Sequence, residues 1–472
     1  MSVVEWETVV GLEVHCELET ATKLFCGCRN AFGDEPNTNI CPVCLGLPGS
    51  LPVLNRQAVE FAMRIGAALH CDVRPSIFHR KNYFYPDMPK DYQISQYDEP
   101  INVEGWLELP DGSRVGIERA HMEEDTGKTT HVGTSGRIHG ADYALVDYNR
   151  AGVPLVEIVS KPDIRSAEQA RAYVSELRAI LLAVGVSDAR MEEGSLRVDA
   201  NVSVRHAGSD QYGTRCEVKN MNSLRSLGRA VDYEVARQVA LLEAGERVVQ
   251  ETRHWDEDDG RTHSLRSKEE AFDYRYFPEP DLVPVAPSPD WVASVRAALP
   301  ALPAERRVAL ASRAGVAPAD VATVVSLGLD ELVTSAIDAG ADPRLALARA
   351  GNEVAADIER APSLEAAAFA RVLAMEGEGR LTATQSKQVL GELLASGGDP
   401  EEIARAHGFE AMGDDALVSV VDEVIVAHPA EADRLRGGES KLTGFFVGKV
   451  MAATAGKADG KAVTRLLRER LG

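Results

Sequence analysis

The sequence predicts an α+β chain: an N-terminal domain on a mixed or antiparallel sheet, then an all-α helical domain, then a small helical tail domain. Three observations lead there. The stretches "VGLEVHCEL" and "SLRVDANVSVR" alternate apolar and polar residues, the period of two that marks a strand with one buried face. Residues 278–289, "PEPDLVPVAPSP", hold five prolines in twelve positions, which no helix or central strand tolerates, so they read as a linker. Beyond them the chain turns Ala-, Leu-, Val- and Arg-rich, as in "EVAADIERAPSLEAAAFARVLAM", and reads as short helices. A second break, "SGGDP" at 396–400, sets off the last segment, giving domains at 1–290, 291–398 and 399–472.

Composition sets the outer limits. At 472 residues the chain can bury several cores, and 44% apolar with 26% charged residues is ordinary for a globular protein. A net charge of −22 excludes a protein that coats nucleic acid over its whole surface, while leaving room for a local basic patch. No apolar run has the length to span a membrane, and "MSVVEWETVV" lacks the basic and apolar regions of a secretory signal. The reading is cytoplasmic, with thiols kept reduced.

The first strand places Val10, Leu12, Val14, Cys16 and Leu18 on one face and Glu13, His15 and Glu17 on the other. An acid and a histidine two residues apart on one face can converge on one metal or one proton; a solvated face would carry the same residues. Next comes "FCGCRNAFGDEPNTNICPVCL", with Cys26, Cys28, Cys41 and Cys44 in two close pairs. Such pairs suit tetrahedral zinc better than disulfides in a reducing compartment. Four thiolates leave no open position, so the ion is structural and contributes on the order of 10 kcal/mol to local folding. Cys16, Cys71 and Cys216 stand apart.

The run "KNYFYPDMPKDYQISQY" offers Lys81 and Lys90 for phosphates and Tyr83, Tyr85 and Tyr92 for stacking on a base, residues that also serve ordinary packing. "HMEED" concentrates Glu123, Glu124 and Asp125. "DTGKTT" resembles the end of a P-loop, but Met122 stands where the first glycine belongs and the pattern fails. In "VPLVEIVS", Glu157 sits alone in an apolar strand and needs a partner or a metal. Glu13, His15, Glu124, Glu157 and Asp199 thus make a candidate hard-cation site, whose oxygen-rich donors favour Mg2+.

Ser166 and Gln169 give a capping signature for a helix with a Tyr173, Leu177, Ile180, Leu181, Val184 stripe, ended by Gly185. Two further strands follow. Leu196, Val198, Ala200, Val202 and Val204 oppose Arg197, Asp199, Asn201, Ser203 and Arg205, and "TRCEVKN" groups Arg215, Glu217 and Lys219. Mixed-sign rows of this kind fit an antiparallel sheet with one packed face and one polar, working face. From Arg434 onward nine basic residues stand against three acids, a local +6 that fits either a solvated helical surface or a phosphate-backbone contact.

Taken together, "GLEVH", "CGC…CPVCLGLPGSLPVLN", "KNYFYPDMPKDYQISQ", "HMEEDTGK", "DYNRAGVPLVEIVS", "EEGSLRVDANVSVR", "EVKNMNSLRS" and "YRYFPEPDL" resemble the B-subunit family of the aspartyl/glutamyl-tRNA amidotransferases. The resemblance is dense over 9–283 and recurs at "GFFVGKVMAATAGKADGKAV". It implies ATP-dependent transamidation of Glu-tRNA(Gln) or Asp-tRNA(Asn), with the A and C subunits as partners and ATP, Mg2+ and structural Zn2+ as cofactors. It implies catalytic or metal roles for Glu13, His15, Glu124 and Glu157 and, less directly, Asp199. Lys81, Tyr83 and Tyr85 would line a nucleotide or acceptor-end pocket, with Arg197 and Asn201 on the same working face. Lys449, Lys457 and Lys461 would contact tRNA. The residues alone also fit a metal-dependent phosphoester hydrolase or a non-catalytic tRNA-docking protein.

Overall fold

The structure, a computed structural model, describes residues 5–133, 141–265, 274–409, 414–437, 439, 441–454, 458 and 460–471. The chain divides into two compact units, Met1–Glu305 and Arg306–Gly472. The first is organised on a 12-stranded sheet.

Its strands are β1 (Trp6–Glu17), β2 (Asp72–Val73), β3 (Ile77–Asn82), β4 (Tyr92–Glu99), β5 (Asn102–Glu108) and β6 (Arg114–Glu124). A separate two-stranded ribbon, β7 (Lys128–Gly133) with β8 (Ala141–Asp147), interrupts the series. The sheet resumes with β9 (Pro154–Ser160), β10 (Leu196–His206), β11 (Cys216–Lys219), β12 (Thr252–Asp256), β13 (Arg261–Ser264) and β14 (Phe277–Pro278). The order across it is β13-β12-β11-β10-β1-β9-β6-β4-β3-β14, with β5 pairing β6 and β2. Every pair is antiparallel except β11 with β12, so the sheet is mixed.

The alternation read from the sequence sets the two faces. Val10, Leu12, Val14 and Cys16 of β1 and Leu196, Val198, Ala200 and Val202 of β10 are buried in one core. Helices α1 (Arg56–Ala68), α2 (Ala167–Ala183) and α3 (Leu224–Glu243) contribute to that core, with Ile65, Tyr173, Leu177, Leu227 and Val231 within it. The cap of α2 forms as its sequence dictates: Ser166 Oγ accepts from Gln169 N at 3.1 Å, and Gly185 turns away with φ +65°.

The proline-rich stretch differs from its reading as a linker. Phe277 and Pro278 pair with β3, and Val285 bridges Ser76 farther along. Between them the fully buried Glu279 carboxylate receives Arg80 through two bonds, Nε at 2.6 Å and Nη2 at 2.9 Å. A proline is tolerated because β14 is outermost, where a missing N–H breaks no further ladder bond. The next helix, Pro289–Ala297, belongs to the first unit, and Arg56 of α1 stacks on its Trp291 at 4.9 Å.

The second unit is helical in its described residues and holds two hydrophobic clusters. One spans Leu310 to Ala404 around Val333, Phe369 and Leu390; the other spans Leu417 to Leu471 around Phe446, Val450 and Val463. Among the described residues no single helix is long and apolar enough to cross a membrane.

Candidate active site

The polar face of the sheet gathers the candidate residues by register. His15 on β1 stands opposite Arg197 on β10 and Glu157 on β9, and Glu157 stands opposite His121 on β6. One step along, Glu13 faces Asp199 and Val159 faces Arg119. Opposed residues in an antiparallel sheet share a face, so these side chains converge.

At the centre, His15 Nε2 lies 3.6 Å from Glu157 Oε2 and 3.9 Å from Glu123 Oε1. His121 Nε2 lies 3.8 Å from Glu157 and 3.9 Å from Glu123, and Arg119 reaches Glu157 Oε1 at 3.6 Å. The isolated carboxylate of the apolar strand thus has two imidazoles and a guanidinium. Burial alone would push Glu157 up, and His121, His15 and Arg119 overcome it, holding the group well below the usual carboxylate range. Glu123 is pushed up to about 7, by burial first and by Glu157 next. For His15, burial pulls the imidazole down, but Glu157, Glu123 and Asp199 outweigh it and leave it raised. Burial depresses His121 to about 4.

The donor atoms of His15, Glu123 and Glu157 lie within 4.8 Å of one another, as ligands of one cation would. Beside them His121 is completely buried, and neither ring nitrogen has a hydrogen-bond partner. A buried imidazole without partners is costly, and a divalent cation or its bound water would satisfy it. One nitrogen and two carboxylates suit a hard divalent ion.

Glu123 takes the place that the sequence reading gave to Glu124. On β6, Arg119, His121 and Glu123 face the polar side, whereas Glu124 follows Ala120 and Met122 to the opposite side. There it pairs with Lys90 and accepts from Ile94 N at 2.9 Å. Lys90, read as a phosphate ligand, is therefore engaged in the interior, and Tyr92 packs against Lys90 and Arg80. The alternation in "RAHMEE" carried this information; the run of three acids hid it.

The remaining candidates surround the centre. Glu13 lies outside the group of three; its Oε1 accepts from Asn201 Nδ2 at 2.9 Å, and burial, then Glu157 and Glu217, raise it. Asp199 accepts from Lys219 Nζ at 2.6 Å. Arg197 donates to Asp125 at 2.6 Å, with Arg150 3.6 Å from the same carboxylate, while burial and Asp125 push Glu17 up to about 8. Lys81 lies close enough for its charge to oppose the rise of Glu123, and it sits 4.7 Å over the Tyr274 ring. Tyr83 and Tyr85 stack on each other at 4.8 Å. Two aromatic residues outside the sequence reading stand nearer the centre: Tyr97 stacks on Tyr276 at 5.2 Å and carries Arg119 over its ring at 4.9 Å. A cavity of about 600 Å3 opens beside Glu13 and Asn201, reaching Tyr212 and Arg215.

The cysteine loop is a separate construction. The sulfurs of Cys26, Cys28, Cys41 and Cys44 lie within 4.8 Å of one another, with Cys41 and Cys44 3.9 Å apart. Tetrahedral zinc with thiolates at about 2.3 Å needs sulfurs about 3.8 Å apart, so the four fit the ion. Asparagines fix the loop: Asn37 N donates to Asp147 at 2.9 Å, Asn39 N to Asn149 at 2.8 Å, and Asn149 Nδ2 to Glu35 O at 2.7 Å. Lys23, fully buried, donates to Asn39 O at 2.8 Å and Tyr148 O at 3.3 Å. Cys16, Cys71 and Cys216 are buried elsewhere as free thiols.

In the C-terminal helices Arg434, Arg436 and Arg470 are paired with Glu439, Asp433 and Asp422, which reduces the charge left for an outside phosphate. Lys449, Arg465 and Arg468 are exposed. Lys457 lies outside the described residues, as does the side chain of Lys461.

Residues 8–293 match the family described as the GatB/GatE catalytic domain, and residues 331–471 the one described as the GatB domain. A protein of Frankia casuarinae, named as the B subunit of an aspartyl/glutamyl-tRNA(Asn/Gln) amidotransferase, is 53% identical, over 99% of this chain and 96% of its own length. Proteins of the same name from Salinispora tropica and Mycobacterium tuberculosis are 53% and 51% identical, each over 100% of this chain and over 97% and 96% of their own lengths.

Proposed function

Because this chain belongs to the GatB/GatE family, with the B subunits of aspartyl/glutamyl-tRNA(Asn/Gln) amidotransferases as its relatives, we propose that it activates the side-chain carboxylate of Glu-tRNA(Gln) or Asp-tRNA(Asn) with ATP. The observation that carries this reading is the group His15, Glu123 and Glu157 beside His121, whose ring nitrogens make no hydrogen bond. A carboxylate at neutral pH repels an amine and offers no leaving group. Attack of its oxygen on the γ-phosphorus of ATP releases ADP and gives an acyl phosphate. Ammonia, set free from glutamine by one of the partner proteins, then attacks the acyl carbon, and inorganic phosphate leaves.

Phosphoryl transfer asks the protein for positioning and charge neutralisation. A bound Mg2+ would supply charge neutralisation and a fixed point for the nucleotide phosphates. His15, Glu123 and Glu157 would hold that ion, while Arg119 helps keep Glu157 ionised. Lys81 and Arg119 bring positive charge to the same face. Glu13, raised by burial and steadied by Asn201, would take the proton that the attacking nitrogen must lose.

The four cysteines would hold structural zinc, leaving the chemistry to the sheet face. The catalytic domain would run through the helix Pro289–Ala297, with a helical domain around the Leu310–Ala404 cluster and a tail around Leu417–Leu471 for the tRNA body, in a cytoplasmic heterotrimer with the A and C subunits. The separate hydrophobic cluster of Leu417–Leu471 supports an independent tail.

The test is ADP release by the chain co-expressed with the A and C subunits, with Mg2+ and either Glu-tRNA(Gln), uncharged tRNA or no tRNA. ADP formed only with the charged tRNA is expected. No ADP under any condition would leave a docking protein.

A further inference from the structure

Glu124 adjoins the proposed metal ligand Glu123 on β6 yet points to the other side of the sheet, and what it meets there links the centre to the cysteine loop. Its carboxylate is 3% exposed and pairs with Lys90, itself 7% exposed. The same oxygen accepts from Ile94 N at 2.9 Å, and the Glu124 carbonyl accepts from Gln93 Nε2 at 2.8 Å. The backbone that carries Glu123 is thus tied through its neighbour to β4 by two bonds and to Lys90, just ahead of β4, by a third.

Lys90 is held in turn by the cysteine loop. Its ammonium lies 5.9 Å from the Phe25 ring centroid and 5.2 Å from that of Tyr92. Gly46, two residues after Cys44 and at φ +66°, lies so close that a Cβ there would overlap Lys90 Cγ. On the far side, a Cβ on Gly152 would lie 3.6 Å from Cys44 Cβ and 3.9 Å from Glu124 Oε2. Phe25 precedes one cysteine pair and Gly46 follows the other, so both ends of the loop bear on the one ion pair.

We propose that Lys90 and Glu124 are positioning residues: their buried pair is the strut through which the cysteine loop fixes Glu123 at the metal centre. The inference rests on the reading of His15, Glu123 and Glu157 as a cation site. The pair touches neither the substrate nor the ligand atoms, and it acts by holding the strand. Removing one partner leaves a buried charge and is strongly destabilising, whereas replacing both with apolar groups is often tolerated. The double variant Lys90→Met/Glu124→Leu is therefore the informative one, with Glu124→Gln as its companion.

Three readouts in the full complex test this, after metal analysis shows an unchanged zinc content. Amide exchange of residues 121–126, measured without divalent ions, is expected to speed up in the double variant. Affinity for Mn2+, used as the probe ion, is expected to fall about tenfold, the scale of lost second-layer support at metal sites. The kcat for ADP release should fall with the KM for charged tRNA unchanged. Unchanged exchange overturns the proposal, as does faster exchange with Mn2+ affinity and kcat within twofold of the wild type. Glu157→Ala separates the two ideas. If that variant binds Mn2+ like the wild type, the cation reading fails, and exchange together with the kcat against KM split decides the strut.

Discussion

His15 and Glu157 stand directly opposite each other on β1 and β9, with Nε2 and Oε2 3.6 Å apart. Replacing the acid by its amide keeps the shape and removes the charge. Glu157→Gln is expected to lower kcat for ADP release by at least about 100-fold, as when a group stabilising transition-state charge is lost. Steady-state ADP release with charged tRNA measures it, and activity within threefold of the wild type would take Glu157 out of the mechanism.

The same centre predicts a pH dependence for cation binding. Glu123 is raised to about 7 and His15 is raised above its ordinary value, so both hold protons below neutrality. Ligands must shed those protons before they bind, and affinity should rise as pH increases from about 6 to about 8. Titration with Mn2+ at several pH values, with proton release followed in parallel, checks the sign. Affinity that is flat or falls over this range would contradict it.

Zinc should be stoichiometric and separable from the chemistry. Cys44→Ser is expected to reduce zinc from about one per chain toward zero and to open the loop between Cys26 and Cys44 to proteolysis. Metal analysis with limited digestion measures both. A variant that keeps its full zinc content would remove Cys44 from the ligand set.

Arg80→Ala should cost more stability than a surface ion pair does, because the Glu279 carboxylate is completely buried and depends on that guanidinium. A loss of about 3–5 kcal/mol is expected for breaking one side of such a pair. Denaturant unfolding of the first unit, followed through Trp fluorescence, measures it. A loss under about 1 kcal/mol, the range of exposed pairs, would show that Glu279 finds other partners.

For the tail, Lys449, Arg465 and Arg468 are the exposed charges to test, since Arg434, Arg436 and Arg470 already face acids. Replacing all three with Ala should reduce the slope of log affinity for tRNA against log salt by about 2 to 3. An unchanged slope would place tRNA binding elsewhere on the chain.

What the sequence disclosed follows the range of each interaction. The faces of β1 and β10, the cap at Ser166 and the cysteine pairs are set by neighbours two to four residues apart or by ligand spacing, and they were readable. That Glu157 needs partners was readable, because a lone acid in an apolar strand demands them. Its partners His121 and Arg119 come from another strand, and the exchange of Glu123 for Glu124 turned on which side of β6 each faces. A register shift between Ile117 and Arg119 resets that side upstream. The Lys90 pairing spans 34 residues and exists only because the chain before β4 folds back beneath β6. The proline-rich stretch misled for a related reason: its composition forbids interior strands, but it says nothing against lying along the outermost one.

That last placement has a consequence of its own. A long sheet ending on a bare strand offers a row of unpaired amides on which another chain can grow. Here β3 is covered by a two-residue strand whose second member, Pro278, has no N–H to give, and Val285 closes the ladder again at Ser76. The segment that composition marks as a tether therefore guards this end of the sheet against self-association.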